Sequence, residues 1–168
     1  MRRNGGIDVN ERTEVLVIGA GLSGLSAASA LTDYGHLVIV IDKSRGVGGR
    51  MASRRIGGAA FDHGAQFITV KDESFARFMV SMSEKGVVTE WFRPKRGRKT
   101  GGEPGTGHPR YRGKPSMTAI AKELSRNLDI RTASRVTRLV AEETHWCAHM
   151  EDETVIAAEA LLLTSPVP

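Results

Sequence analysis

The sequence predicts an α/β domain, a parallel sheet joined to an antiparallel β-meander, on three observations. Residues 14–18 (EVLVI) and 37–41 (LVIVI) are short apolar runs rich in β-branched side chains, separated by a helix-length segment. They form a strand, helix, strand unit of about 30 residues, whose second strand should lie parallel to the first through a right-handed crossover. From residue 130 the pattern turns extended, with a turn at Glu151, Asp152 and Glu153, which reads most economically as a meander. The composition fits one ordinary globular domain: 168 residues, 40% hydrophobic and 26% charged.

In chain order, residues 1–12 are polar and predict a flexible start. Residues 14–18 run into Gly19 and read as a strand buried on both faces. A helix over 22–34 is closed by Gly35, because glycine accepts the left-handed conformation that ends a helix. Asp72 stands where it can cap a second helix, whose Phe75, Phe78, Met79 and Met82 recur at spacings of three and four before Gly86. A third helix starts near Ser116, after Pro115, with Met117, Ile120, Ala121, Leu124 and Leu128 on one face. Residues 130–140, 144–150 and 154–158 read as strands of the meander. Residues 160–165 read as a last apolar strand that meets Pro166.

Charge and composition exclude several function classes. The net charge is +5, but residues 93–114 alone carry eight basic side chains against one acid, Glu103, so the basicity belongs to one Gly- and Pro-rich loop. With only Tyr111 in it for a base to stack on, that loop reads as a solvated segment and not a nucleic-acid site. No apolar run approaches the 18 or so residues of a membrane helix. Arg2, Arg3 and the small residues Ala28, Ser29 and Ala30 imitate an export signal, yet Glu11, Arg12 and Glu14 and the glycines fit a buried strand and turn better. A single cysteine, Cys147, allows no intramolecular disulfide, and the expected location is cytoplasmic.

The motif that carries chemistry is Gly19-Ala20-Gly21-Leu22-Ser23-Gly24, G-x-G-x-x-G after a strand and opening a helix. Gly19 permits the tight turn, Gly21 lets a pyrophosphate approach the backbone, and Gly24 lets the helix lie close on the sheet. Free N–H groups and the positive end of the helix dipole then face the phosphates. Asp42 ends the second strand 18 residues after Gly24, where a carboxylate accepts hydrogen bonds from an adenosine ribose and repels a 2′-phosphate. FAD or NAD is therefore expected in preference to NADP. A second glycine-rich segment, KSRGVGGRM (43–51), is either a further phosphate contact or a basic surface turn. In FDHGAQFIT (61–69), Gly64 and Ala65 would let a flat ring approach the chain, or else mark a strand end with a bulge.

The glycine fingerprint, RGVGGRM, FDHGAQFIT and the terminal LLLTSPVP, in this order and spacing, resemble the N-terminal half of renalase-like flavoproteins, members of the flavin-containing amine oxidase superfamily. The resemblance covers about residues 14–168. It implies a Rossmann-like FAD/NAD(P)-binding domain with FAD as cofactor: the pyrophosphate on residues 19–24, and the ribose on Asp42 with Lys43 beside it. It further implies Arg45, Gly48, Gly49, Arg50 and Met51 along the phosphates and ribityl chain, and Gly64, Ala65 and Gln66 against the isoalloxazine. Val136 would hold the adenine through its backbone. Two departures stand out: family members usually carry Glu at the position of Asp42, and their chain continues after the LTSPVP strand into most of a substrate domain. The resemblance thus implies a truncated form, with a second chain as one source of the missing half.

The organisation expected is a flexible terminus (1–12), a βαβ and flavin-side segment (13–69), the start of a substrate-side region with the basic loop (70–115), and a helix, meander and return strand (116–168). The implied activity is hydride transfer from a small-molecule donor, a dihydronicotinamide or an amine, to FAD. A non-catalytic FAD- or NAD-binding module, or an inactive fragment, is the alternative. No catalytic residue is assigned. His145, Cys147 and His149 alternate on one strand face, but same-face residues two apart seldom close a tetrahedral metal site, so an ordinary half-buried strand is expected. His63 reads as an interfacial histidine, with tuning of a nearby flavin as its alternative.

Overall fold

The apolar run before Gly19 forms β1 (Glu11–Ile18), a central strand of a six-stranded sheet in the computed structural model, which describes residues 9–94, 105 and 107–165. Helix α1 (Leu22–Asp33) leads to β2 (Val38–Ile41), parallel to β1, with Val15, Leu16, Val17 and Ile18 opposite Val38, Ile39, Val40 and Ile41. All four residues of β2 are buried, as a parallel strand covered on both faces requires. The helix ends one residue earlier than its pattern suggests: Tyr34 is the C-cap and Gly35 takes φ +91°, the left-handed stop. Leu37 lies outside β2, exposed, and its carbonyl accepts from Val15 N and from the Thr13 hydroxyl.

The chain divides into two compact units, Met1–Gly49 with Leu124–Pro168, and Arg50–Glu123. In the first, the sheet order is β8 (Asp129–Arg131), β2, β1, β11 (Val155–Leu163), β10 (Trp146–Met150), β9 (Val136–Ala141). The first four are parallel, and β10 and β9 continue antiparallel. Two sequence expectations are corrected here. Residues 130–140 are not one strand of the meander: Ala133, at φ 53°, breaks them, and β8 pairs with β2 at the opposite edge from β9. The two expected strands at 154–158 and 160–165 are replaced by a single strand, β11, over Val155–Leu163, because β1 pairs with it on both sides of Glu159, from Glu11 to Ile18.

β1 serves two layers. Val15–Ile18 pair with β2 on one side, whereas Glu11–Thr13 pair only with β11. Glu11 nevertheless forms an ion pair with Arg131 of β8, which lies beyond β2. The first half of β1 therefore turns across the sheet face and carries the meander with it. Leu16, Ile39 and Ile41 of the parallel strands share one buried cluster with Ala148, Met150, Ile156 and Ala158, and Val136 and Leu139 pack on it.

In the second unit, β3 (Ser53–Ile56) and β4 (Ala59–Asp62) form a hairpin whose turn residues Gly57 and Gly58 both take positive φ, the two-residue turn that matches strand twist. β5 (Ile68–Thr69), β7 (Arg110–Gly113) and β6 (Val88–Phe92) form a small antiparallel sheet. Helix α2 (Glu73–Glu84) starts where predicted, with the Asp72 carboxylate accepting from Phe75 N at 3.0 Å. Helix α3 (Thr118–Leu124) is shorter than its apolar spacing suggests, and Leu128 falls in a turn beyond it. The basic residues Lys95, Arg96, Arg98 and Lys99, the acid Glu103, the N-terminal eight residues and residues 166–168 lie outside the described residues.

Candidate dinucleotide-binding site

The fingerprint turn is built by steric exclusion at two glycines and open space at the third. Gly19 takes φ +116°, and a Cβ there would lie 2.6 Å from the Thr164 hydroxyl. A Cβ on Gly24 would come 1.9 Å from the Gly19 carbonyl oxygen, closer than any real side chain. Around Gly21 nothing lies within 4 Å of the Cβ position, which leaves a backbone cradle open to a ligand. Gly21 is also the N-cap of α1, without a side-chain cap, and the first turn holds no acid. The N–H groups there are left for an anion. Leu22 and Ser23 begin that helix, and Leu25 and Ala28 bury its sheet side.

Thr164, which the motifs alone do not single out, locks this turn. Its hydroxyl lies 3.1 Å from both the Ile18 and Gly19 carbonyl oxygens, and its N–H donates to Ile18 O at 3.0 Å. The signal available was its place at the end of an apolar run.

Asp42 directly follows β2, at the carboxyl edge of the sheet, where open α/β folds bind ligands. One of its oxygens accepts from Ala20 N and the other from Ser44 N, each at 2.7 Å. The carboxylate therefore fixes the fingerprint loop as well as offering its remaining lone pairs outward. In the 43–51 segment, Gly48 N donates to Ala20 O at 2.8 Å, and Gly48 bridges Gly21. A Cβ on Gly49 would sit 3.3 Å from the Gly21 Cα. Two glycine segments 25 or so residues apart thus form one backbone surface, while Lys43 and Arg45 project as exposed cations beside it.

The stretch after β8 closes the other side of Asp42. Asp42 N donates to Arg131 O, Ser134 N to Asp42 O and Ala133 N to Ser44 O, at 2.9, 3.0 and 2.7 Å. Val136 follows as the first residue of β9, paired with Met150, its side chain packed on the core cluster. Arg131 also binds Glu11 and Asp129, at 2.7 and 3.0 Å from its Nη2. The Arg131 hydrogen bond holds the Glu11 carboxyl below its ordinary value against a smaller opposing effect of burial.

Within the second unit, Arg50 O accepts from Ala65 N at 2.9 Å, and a Cβ on Gly64 would lie 2.0 Å from that same oxygen. Gly64 is thus required by the close approach of the Arg50 backbone. The Arg50 side chain and Gln66 are exposed and Met51 is buried. On β10, Cys147 is buried with Val155 and Ala157, and desolvation pushes its thiol upward, which is the behaviour of a core cysteine. Among the described residues no His, Cys, Asp and Glu cluster could hold a metal, and no helix is long and apolar enough to cross a membrane.

The sequence matches the NAD(P)-binding Rossmann-like domain family over residues 17–81. It is 41% identical over 58 residues to a 4,4'-diapophytoene desaturase (4,4'-diaponeurosporene-forming) of Staphylococcus haemolyticus, covering 34% of this chain and 12% of that protein. The Staphylococcus aureus enzyme of the same name is 39% identical over 59 residues, covering 35% and 12%. The match thus spans about an eighth of the length of these curated relatives. Among solved structures, a cofactor-binding redesign of putrescine oxidase superposes at a TM-score of 0.73 with 15% identity, over 93% of this chain and 58% of that one. Wild-type putrescine oxidase bound to putrescine gives 0.68, 15%, 92% and 58%. The fold of the chain is that of a Rossmann-like dinucleotide-binding domain, mixed α/β with a parallel-rich sheet, as found in putrescine oxidase.

Proposed function

We propose that the chain is the FAD-binding part of an FAD-dependent oxidoreductase of the amine oxidase kind, with the renalase-like motifs of the sequence as the finer assignment. The observation that carries this reading is the joined surface of the two glycine segments, with Gly21 open and Asp42 at its edge. That surface fits a dinucleotide: a backbone cradle a Cβ would fill, an uncapped helix N-terminus for the pyrophosphate, and a carboxylate for a ribose without a 2′-phosphate.

In this reading Gly19, Ala20, Gly21, Leu22, Ser23 and Gly24 hold the pyrophosphate, aided by Lys43, Arg45, Gly48 and Gly49. Asp42 takes the ribose and Val136 the adenine. The flavin end is assigned to Arg50, Met51, Gly64, Ala65 and Gln66. When bound, FAD supplies hydride acceptance, from a dihydronicotinamide or an amine donor. The chain's own part is to bind and orient: N–H groups and guanidinium groups neutralise phosphate charge, and the close-packed Gly64 and Ala65 admit a planar ring. A cytoplasmic location and a covering segment supplied by another stretch of polypeptide belong to the same proposal.

The test is titration of the purified protein with FAD, NAD and NADP, followed by flavin absorbance and by the shift of its melting temperature. FAD is expected to stabilise most. Equal stabilisation by NADP would overturn the assignment.

A further inference from the structure

Apart from Ser53 and Asp62, every residue of the β3–β4 hairpin is exposed. A two-stranded hairpin by itself is marginal in water, so whatever grips those two residues fixes its attitude. That grip is a short chain of hydroxyl hydrogen bonds inside the second unit. Thr118, the first residue of α3, places Oγ1 2.7 Å from Ser53 N, as acceptor, and 2.8 Å from Ser53 Oγ, as donor. Ser53 Oγ in turn donates to Asp62 Oδ1 at 2.5 Å, and the same carboxylate oxygen accepts from Met117 N at 3.0 Å. A carboxylate oxygen accepts, so the Ser53 hydroxyl proton is directed to Asp62, and Ser53 Oγ is left to accept from Thr118, whose N–H lies 3.3 Å and whose hydroxyl lies 2.8 Å from it.

The residues gripped are the neighbours of those assigned to the flavin end. Ser53 follows Arg50 and Met51 directly after Ala52, and Asp62 precedes Gly64 and Ala65 by His63 alone. The two strands of chain are then joined a second time where Ala65 N donates to Arg50 O at 2.9 Å. Two clamps a few residues apart leave the segments between them little freedom to separate or rotate. The backbone clamp is fixed by Gly64, which has no room for a Cβ; the hydroxyl clamp depends on Thr118, 65 residues from Ser53 in sequence.

We propose that Thr118 is a positioning residue for the flavin end of the site, acting through Ser53 and Asp62 on Arg50, Met51, Gly64 and Ala65. This rests on the FAD reading given above. Thr118 touches no ligand in this role. It sets the spacing and tilt of the two segments that do, so its loss alters the flavin end of recognition and leaves the adenosine end, built on residues 19–24 and Asp42, as it was.

The experiment compares FAD with ADP, which shares the adenosine and pyrophosphate only, on the full chain as wild type, Thr118→Ala, Thr118→Ser and Ser53→Ala. Thr118→Ala is expected to weaken FAD roughly three- to tenfold, the range for losing a hydrogen bond of this kind, while ADP affinity stays unchanged. The visible absorption band of bound flavin should move toward that of free flavin. Thr118→Ser, which keeps the hydroxyl, should restore both affinity and spectrum. Ser53→Ala interrupts the same chain from the other side and serves if Thr118→Ala does not fold. Wild-type FAD affinity and spectrum in the alanine variants would overturn the proposal, as would a parallel loss of ADP, which marks general damage. If the wild type itself prefers FAD no more than ADP, the FAD reading fails and this proposal with it.

Discussion

Gly24 lies so close to Gly19 that a Cβ on it would sit 1.9 Å from the Gly19 carbonyl oxygen, although the Gly21 between them has nothing within 4 Å of its own Cβ position. The three fingerprint glycines therefore answer to different demands. Gly24→Ala should cost about 1 to 3 kcal/mol of stability, the range for forcing extra volume into a packed contact, because the obstacle is backbone. Gly21→Ala should stay within about 1 kcal/mol of wild type, since φ is −78° and the space is free, yet it should weaken FAD. Urea unfolding and FAD titration of the two variants separate the effects. Equal loss of stability in both would contradict the assignment of Gly21 to ligand approach.

Asp42 holds Ala20 N and Ser44 N with its two carboxylate oxygens. Asp42→Asn keeps one acceptor and turns an amide N–H toward the other donor. FAD binding should weaken, and the discrimination against NADP should narrow because the charge that repels a 2′-phosphate is gone. Parallel titrations with FAD and NADP check both halves. If neither affinity moves, Asp42 is not at the site.

Arg131 sits between Glu11 and Asp129, and its hydrogen bond is the main cause holding the Glu11 carboxyl below the ordinary 4.5. A carboxyl depressed in the folded state contributes stability above its unfolded value, and that contribution is lost as pH falls through the folded one. Arg131 is raised further above its already basic value and stays protonated throughout. Acid melts should therefore show stability falling below about pH 4.5, with a shallower fall in Glu11→Gln. Some slope should persist in that variant, because Glu14, Asp72, Glu90 and Asp152 are also held low. An unchanged slope would mean that the pair is screened by solvent.

Arg50 projects from the segment that carries Gly49 and hydrogen-bonds Ala65, whereas Arg96 belongs to the basic Gly- and Pro-rich run outside the described residues. Arg50→Ala should weaken FAD by about 1.5 to 3 kcal/mol, the range for a lost hydrogen bond to a charged group. Arg96→Ala, in a run that the resemblance does not assign to the cofactor, should leave it close to unchanged. Isothermal titration of the two variants decides the matter, and equal affinities would remove Arg50 from the site.

By itself the sequence determined what depends on neighbours in the chain. The strand, helix, strand unit, the three fingerprint glycines, the Asp72 cap and the Gly35 stop are settled by turn chemistry and side-chain spacing within a few residues, and all stand in the structure. The place of Asp42 was legible for the same reason, as the acid at the C-terminal end of the second apolar run, one residue beyond β2. Tertiary structure decided everything that depends on which distant segment pairs with which. Alternating residues 130–140 announce extended chain but not an edge, so only pairing with β2 could place β8 opposite β9. The union of Val155–Leu163 into one strand came from β1, and the locking of Gly19 by Thr164 from a contact 145 residues away. The junction of Gly48 with Ala20 and the grip of Thr118 on Ser53 are of the same kind: a hydrogen bond between remote segments leaves no periodic trace in either, because its geometry exists only once the sheet and hairpin have folded.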